Sequence, residues 1–161
     1  MIKILFVCHG NICRSTMAQS VMTHMIGQLR KTGEFQIDSA ATSREEIGNP
    51  PHYGTVNKLR AVGIPVVPHR ARQMTIADYD TFDYLIGMDD ANIRNMTRIA
   101  GGTDSDGKIF KLLSFAQYRN APTRNLPSAR DVADPWYTGD FDATYRDVVA
   151  GCEGLIRYLQ I

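Results

Sequence analysis

The chain is short of the features that would send it out of the cell or into a membrane. Its 161 residues include three cysteines, an odd number, and two of them, Cys8 and Cys13, share one glycine-containing loop. That argues against a secreted disulfide framework and for a reducing cytoplasm. No run of apolar residues approaches the ~18 to 20 that a membrane helix needs. The opening Met1-Ile2-Lys3-Ile4-Leu5-Phe6-Val7 gives way at once to glycine and polar residues, so it is too short for a signal peptide, and no lipidation box is present. Excess charge of either sign is missing too. Eighteen Lys and Arg stand against seventeen Asp and Glu, a formal net charge of +1, which leaves no global footprint for nucleic acid or an anionic membrane. Any affinity for anions must be local. The four histidines and three cysteines follow no zinc-site spacing, and neither a metal nor another cofactor is expected.

With 43% hydrophobic and 22% charged residues, the chain can bury one substantial core, and a single domain over residues 1–161 is expected. Residues 2 to 7 form a continuous apolar run rich in β-branched side chains, which suits a strand buried on both faces of a parallel sheet. Gly10 and Asn11 end it. From Ser15 a helix is predicted through Met17, Val21, Met22, Met25, Ile26 and Leu29, with Gly33 as its stop. Phe35 to Ala40 reads as a second strand, and Pro50-Pro51 opens a helix bearing Val56 and Leu59. Phe82 to Met88 reads as a third strand, followed by a helix that Asp89 caps and Gly101-Gly102 ends. A short strand, Lys108 to Leu113, comes next. Residues 117 to 141, with Pro122, Pro127 and Pro135, are expected to form a long surface loop. Tyr145, Val148, Val149, Cys152, Leu155, Ile156 and Leu159 then fall on one stripe of a closing helix. Strands alternating with helices predict a doubly wound α/β fold with a mainly parallel sheet, whose ligands bind at the carboxyl ends of strands.

The loop Cys8-His9-Gly10-Asn11-Ile12-Cys13-Arg14-Ser15 lies at such an end. A loop running from strand into helix presents unpaired N–H groups and the positive end of the helix dipole, which makes an anion site. Gly10 allows a positive φ and Asn11 tolerates one, so the amides of residues His9 to Arg14 can curl around a phosphate-sized group. Arg14 can add a bidentate fork. The same cradle favours a thiolate at Cys8, a nucleophile in line with phosphorus, and Ser15 can donate a hydrogen bond to that sulfur. Cys-x5-Arg alone is weak, since composition gives a chance match with a probability of roughly one in five. The preceding buried strand, the glycine, the hydroxyl residue after the arginine and the ensuing helix sharpen it. Asp134, stiffened by Pro135, is the candidate proton donor to a leaving group. Trp136 and Tyr137 can flank a substrate ring. Cys13 is either filler in the loop or, the preferred role, a resolving thiol that traps oxidised Cys8 as a disulfide. Cys152 on the last stripe is expected to be inert packing. His24 and His52 suggest no role.

These residues resemble the low-molecular-weight protein tyrosine phosphatases over essentially the whole chain. The resemblance rests on Val7-Cys8-His9-Gly10-Asn11-Ile12-Cys13-Arg14-Ser15, Ile37-Asp38-Ser39-Ala40-Ala41-Thr42-Ser43, His69-Arg70-Ala71-Arg72-Gln73, Phe82-Asp83-Tyr84, Met88-Asp89 and Asp134-Pro135. It implies a four-stranded parallel sheet and metal-free hydrolysis of a phosphotyrosine protein or small aryl phosphate, releasing inorganic phosphate. It also implies Cys8 as nucleophile, Arg14 as phosphate clamp, Asp134 as general acid and later base, and Ser15 as the hydroxyl that assists the thiolate. Asn11 would hold the loop through a network that includes Ser39 and His69.

Two departures concern the pocket wall. His9 stands where such proteins usually carry an apolar residue or threonine, and Arg44-Glu45-Glu46 occupies a stretch where many place an aromatic. Acidic side chains there are expected to disfavour acidic phosphopeptides. Two other functions compete: a thioredoxin-coupled arsenate reductase, which would need further relay cysteines, and a non-catalytic phosphotyrosine- or flavin-binding module on the same fold.

Overall fold

The structure, a computed structural model, describes residues 1–119 and 125–161; Pro122, assigned above to a surface loop, lies outside the described residues. In chain order the elements are β1 (Ile2–Cys8), α1 (Arg14–Gln28), a 3-10 turn (Thr32–Glu34), β2 (Phe35–Ala41), α2 (Tyr53–Ala61), α3 (Ile76–Thr81), β3 (Tyr84–Gly87), α4 (Asp90–Ile99), β4 (Ile109–Lys111), α5 (Leu112–Ala116), α6 (Pro135–Thr138) and α7 (Phe141–Leu159). The strands form one four-stranded sheet in the order β2-β1-β3-β4, with every pair parallel. The winding reverses at β1: the chain steps from β1 to β2 on one side and then crosses back to β3 and β4 on the other. The crevice beyond its carboxyl end is where such a sheet can admit a ligand, and Cys8 is the last residue of that strand.

The apolar run of β1 is explained by burial on both faces. Ile4, Phe6 and Cys8 join a cluster with Met17, Val21, Phe115 and Leu155, while Leu5 and Val7 face Met74, Tyr79, Phe82 and Met96. Alternate side chains of a strand point to opposite faces, so a strand between two helical layers needs no polar alternation. The first layer is built by α1, α5 and α7, the second by α3 and α4. No helix among the described residues is long and apolar enough to cross a membrane.

Boundaries shift where local chemistry outweighs the apolar pattern. The first helix begins at Arg14, one residue before the expected start, and stops at Gln28 rather than running to Gly33. Arg30 takes a left-handed φ of 57°, and the amides of Arg30 and Lys31 turn back to the carbonyls of Gly27 and Ile26, closing the helix early. The second helix starts after the two prolines, at Tyr53, because His52 caps it: its Nδ1 accepts the Gly54 N–H at 3.0 Å. The expected strand 82–88 is trimmed to Tyr84–Gly87, since Phe82 ends the unforeseen α3. The strand expected over 108–113 covers only Ile109–Lys111, and Leu112 opens α5 instead. Within 117–141, α6 is a one-turn helix begun by Pro135.

Candidate active site

The segment from Cys8 to Arg14 crosses from the end of β1 to the start of α1, and four of its carbonyls are engaged by the surrounding scaffold. The Cys8 and His9 oxygens accept the amides of Thr42 and Ser43 at 2.9 and 3.1 Å. The Ile12 oxygen accepts the His52 amide at 2.8 Å, and the Cys13 oxygen accepts the Thr55 hydroxyl at 3.1 Å. Meanwhile α1 has no side-chain cap and no acidic residue in its first turn. These four acceptors are committed to α2 and to the segment between β2 and α2, and the loop's donors are left for an anion at the helix dipole's positive end. The turn is made by Asn11, at φ 59°. Gly10 was expected to share this conformation but does not adopt a positive φ. A Cβ there would make only ordinary contact with Glu46, at 3.4 Å from Cγ.

Asn11 is fully buried, and its orientation is fixed by a donor that cannot accept: the Arg72 backbone N–H reaches Oδ1 at 3.2 Å. His69 Nε2, 2.7 Å from the same oxygen, must then donate, which sets its tautomer. Asn11 Nδ2 donates to Ser15 Oγ at 2.7 Å, and Ser15 Oγ lies 3.1 Å from Cys8 Sγ. With its oxygen accepting from Asn11, the Ser15 hydroxyl can turn its hydrogen to a Cys8 thiolate. Burial pushes the His69 pKa below its ordinary 6.5; Asp38 opposes the shift and Arg72 adds to it. Ser39, expected in the same network, instead donates its hydroxyl to Gln19 Oε1 at 2.6 Å. Gln19 and the Arg72 amide were not anticipated, although Gln19, one turn after Ser15 on α1, was within reach of periodicity reasoning.

Arg14 brings the distant residues together. Its side chain is buried; Nη1 donates to Asp89 Oδ2 at 2.8 Å and to the Val132 carbonyl at 3.4 Å, and Nη2 lies 3.2 Å from Asp134 Oδ2. Burial alone would lower the guanidinium pKa, but Cys8, Asp134 and Asp89 outweigh it and raise the value. Asp134 caps α6, accepting the Trp136 amide on Oδ1 at 3.1 Å, and so turns its other oxygen toward Arg14. Asp89 does the same on α4, with Oδ1 on the Asn92 amide at 2.6 Å. The capping role was legible in the sequence, whereas the second oxygen's hold on Arg14 was not. Cys8, Arg14, Asp89 and Asp134 line one cavity of about 380 Å³.

Residues 3–161 match the model of the low molecular weight phosphotyrosine protein phosphatase family. The chain belongs to this family. It is 38% identical over 160 residues to the low molecular weight protein-tyrosine-phosphatase YfkJ of Bacillus subtilis (strain 168), with 99% of this chain and 97% of the relative covered. To the human low molecular weight phosphotyrosine protein phosphatase it is 36% identical over 157 residues, covering 96% and 94%. The crystal structure of YfkJ superposes with a TM-score of 0.89 over 99% of this chain and 95% of that one. A low molecular weight phosphatase from Streptococcus pyogenes, also 38% identical, gives 0.81 over 99% and 93%. The protein is accordingly a hydrolase of the protein-tyrosine-phosphatase class.

The mouth of the phosphatase cavity holds His9, Glu45, Glu46, Trp136 and Tyr137. His9 Nε2 and Glu45 Oε2 are 2.9 Å apart, and both side chains are more than half exposed. Trp136 and Tyr137 are 62% and 85% exposed, so they stand as open walls and not as core anchors. His52, for which the sequence suggested no role, stacks between Tyr53 and Phe141 at 4.3 and 5.3 Å and meets Trp136 edge-on at 6.1 Å. It buttresses the Trp136 wall of this phosphatase. Cys13 also lines the cavity, and its thiol pKa is pushed up to about 12, first by burial and then by the charge of Cys8. Cys152 is fully buried in the core.

Proposed function

We propose that this phosphatase hydrolyses phosphotyrosine in proteins, and small aryl phosphates, through a cysteinyl-phosphate intermediate. The observation that carries the proposal is the convergence on one cavity of Cys8, at the floor of a loop that turns its Cys8, His9, Ile12 and Cys13 carbonyls to the scaffold, with a buried Arg14 already oriented by Asp89 and within 3.2 Å of Asp134. In the first step the Cys8 thiolate attacks phosphorus and the bond to the phenolic oxygen breaks. Asp134 gives that oxygen a proton, and tyrosine leaves. In the second step water attacks the phosphocysteine, Asp134 takes its proton, and inorganic phosphate departs as the thiolate re-forms. Arg14 and the loop amides hold the equatorial oxygens in both transition states. Ser15 steadies the sulfur as attacking and as leaving group.

A thioredoxin-coupled relay finds less support, because the only cysteine outside the loop, Cys152, is fully buried, and burial raises its thiol pKa far above the ordinary value. The test is steady-state hydrolysis of an aryl phosphate with and without a chelator. Cys8→Ser is expected to abolish turnover, Asp134→Ala to slow it by about 10²- to 10⁴-fold, and the chelator to change nothing. Turnover by Cys8→Ser, or a strict metal requirement, would refute the mechanism.

A further inference from the structure

The buried face of α7 carries one carboxylate that these steps do not use. Asp147 is 7% exposed, in a helix otherwise buried through Val148, Cys152, Leu155 and Tyr158. A buried carboxylate costs several kcal/mol unless it is paired and hydrogen-bonded, so its partners show what it is for. Oδ1 accepts from Arg130 Nη2 at 2.6 Å; Oδ2 accepts from Arg130 Nη1 at 2.9 Å and from the backbone N–H of Ala133 at 3.1 Å. Three residues earlier on the same face, Thr144 is fully buried and donates its hydroxyl to the Ala133 carbonyl at 2.8 Å. Two side chains of a 19-residue helix thus hold both polar groups of Ala133, the residue immediately before Asp134. From the other side the Val132 amide donates to the Met88 carbonyl at 2.9 Å, just past the end of β3. Arg130 is 68% exposed, so its pairing with Asp147 is screened by solvent. The main-chain bond is the contact that needs a buried acceptor.

We infer that Asp147 and Thr144 are positioning residues for the proton donor: by fixing the main chain of Ala133 from α7, they set where the Asp134 carboxyl meets the leaving oxygen. This rests on the acid role proposed above for Asp134. A one-ångström misplacement of a reacting group can cost about 10²-fold in rate, yet Arg14, which touches Val132 and Asp134 on either side of Ala133, keeps its shorter bond to Asp89 at 2.8 Å when this segment moves, so the phosphate cradle holds. The effect must therefore appear only where the proton matters. A nitrophenolate leaves readily without protonation, while an unsubstituted phenolate does not.

The experiment measures kcat/KM for p-nitrophenyl phosphate and for phenyl phosphate on the same preparations of wild type, Asp134→Ala, Asp147→Ala, Thr144→Val and Thr144→Ser, with the inhibition constant for inorganic phosphate alongside. The ratio of the two kcat/KM values cancels the fraction of folded enzyme, so a loss of stability alone does not move it. Asp134→Ala is expected to raise the ratio most. Asp147→Ala and Thr144→Val are expected to raise it on the order of tenfold with phosphate inhibition unchanged, and Thr144→Ser, which keeps the hydroxyl, to restore it. A ratio that rises in Asp134→Ala but stays at the wild-type value in Asp147→Ala and Thr144→Val overturns the positioning role alone. A ratio unmoved in Asp134→Ala overturns the acid assignment and this inference with it.

Discussion

His69 can meet its hydrogen-bonding task as a neutral ring, because Asn11 Oδ1 asks only for a donated N–H. Burial, the largest influence on it, disfavours the charged form and holds its pKa below 6.5. The unfolded chain therefore takes up a proton at this residue near 6.5, and the folded chain only at lower pH. Between those values the unfolded state binds more protons, so stability falls as pH drops through the window and the contribution is complete above it. Asp131 and Asp142, whose pKa values are lowered from 3.8 by Lys111 and Lys58, titrate well below this range. Thermal unfolding at pH 7 and pH 5 is expected to show a larger drop for wild type than for His69→Gln, which keeps a donor for Asn11 but does not titrate. Equal drops would show that His69 is no more reluctant to charge in the fold than out of it. At this scale the sequence exposed the residues that do chemistry through local spacing, as Cys8, Arg14 and Ser15 all flank one short strand-to-helix loop. Periodicity puts Gln19 one turn after Ser15, but its pairing with Ser39, like the second oxygen of Asp89, depends on how α1 and α4 lie against the sheet.

Among the elements, β1 was legible because burial between two layers demands an unbroken apolar run, and α7 because its stripe spans about four turns. The five-residue α5 was not. It is too short to show a period, and it owes its place to α7, where Gly151 and Gly154 let the two helices touch. A Cβ on Gly154 would lie well inside van der Waals contact of the Phe115 carbonyl and the Ala116 nitrogen, which are backbone atoms with nowhere to go. A Cβ on Gly151 would meet the Leu112 side chain, which is fully buried and must repack, but no backbone atom. Both changes raise helix propensity, so propensity alone predicts stabilisation. Packing predicts the reverse: Gly154→Ala is expected to cost about 1–3 kcal/mol, the ordinary penalty for overfilling a packed interface, and Gly151→Ala less. Urea unfolding of the two variants measures this, and a Gly154→Ala protein as stable as wild type would mean that α5 and α7 are not locked together here.

Over the whole molecule the charges nearly cancel, at +1, but they are not evenly spread around the cavity. Its lining pairs Arg14 and His9 with Glu45, Glu46, Asp89 and Asp134. Asp89 and Asp134 are engaged with Arg14 at the base, which leaves Glu45 and Glu46 to set the field at the mouth, where His9 Nε2 meets Glu45 Oε2. The stretch that supplies the two glutamates and the loop that supplies His9 were each visible as departures from the family pattern. Their meeting across 36 residues was not, because it follows from the parallel pairing of β1 with β2, which delivers both segments to one end of the sheet. A phosphopeptide must bring its phosphate past this acidic rim, so lysines flanking the phosphotyrosine should favour entry and glutamates should oppose it. We expect kcat/KM to differ roughly twofold to fivefold between such peptides, the scale of exposed charge interactions. The difference should shrink in Glu45→Gln and again at high salt, where exposed charges are screened, while a small aryl phosphate, which passes the same rim without flanking charge, gives the common effect on the phosphate group against which both peptides are compared. Equal rates for the two peptides at low salt, or a preference for the acidic one, would show that the His9–Glu45 pair leaves the rim electrically silent and that selectivity is set by the aromatic walls instead.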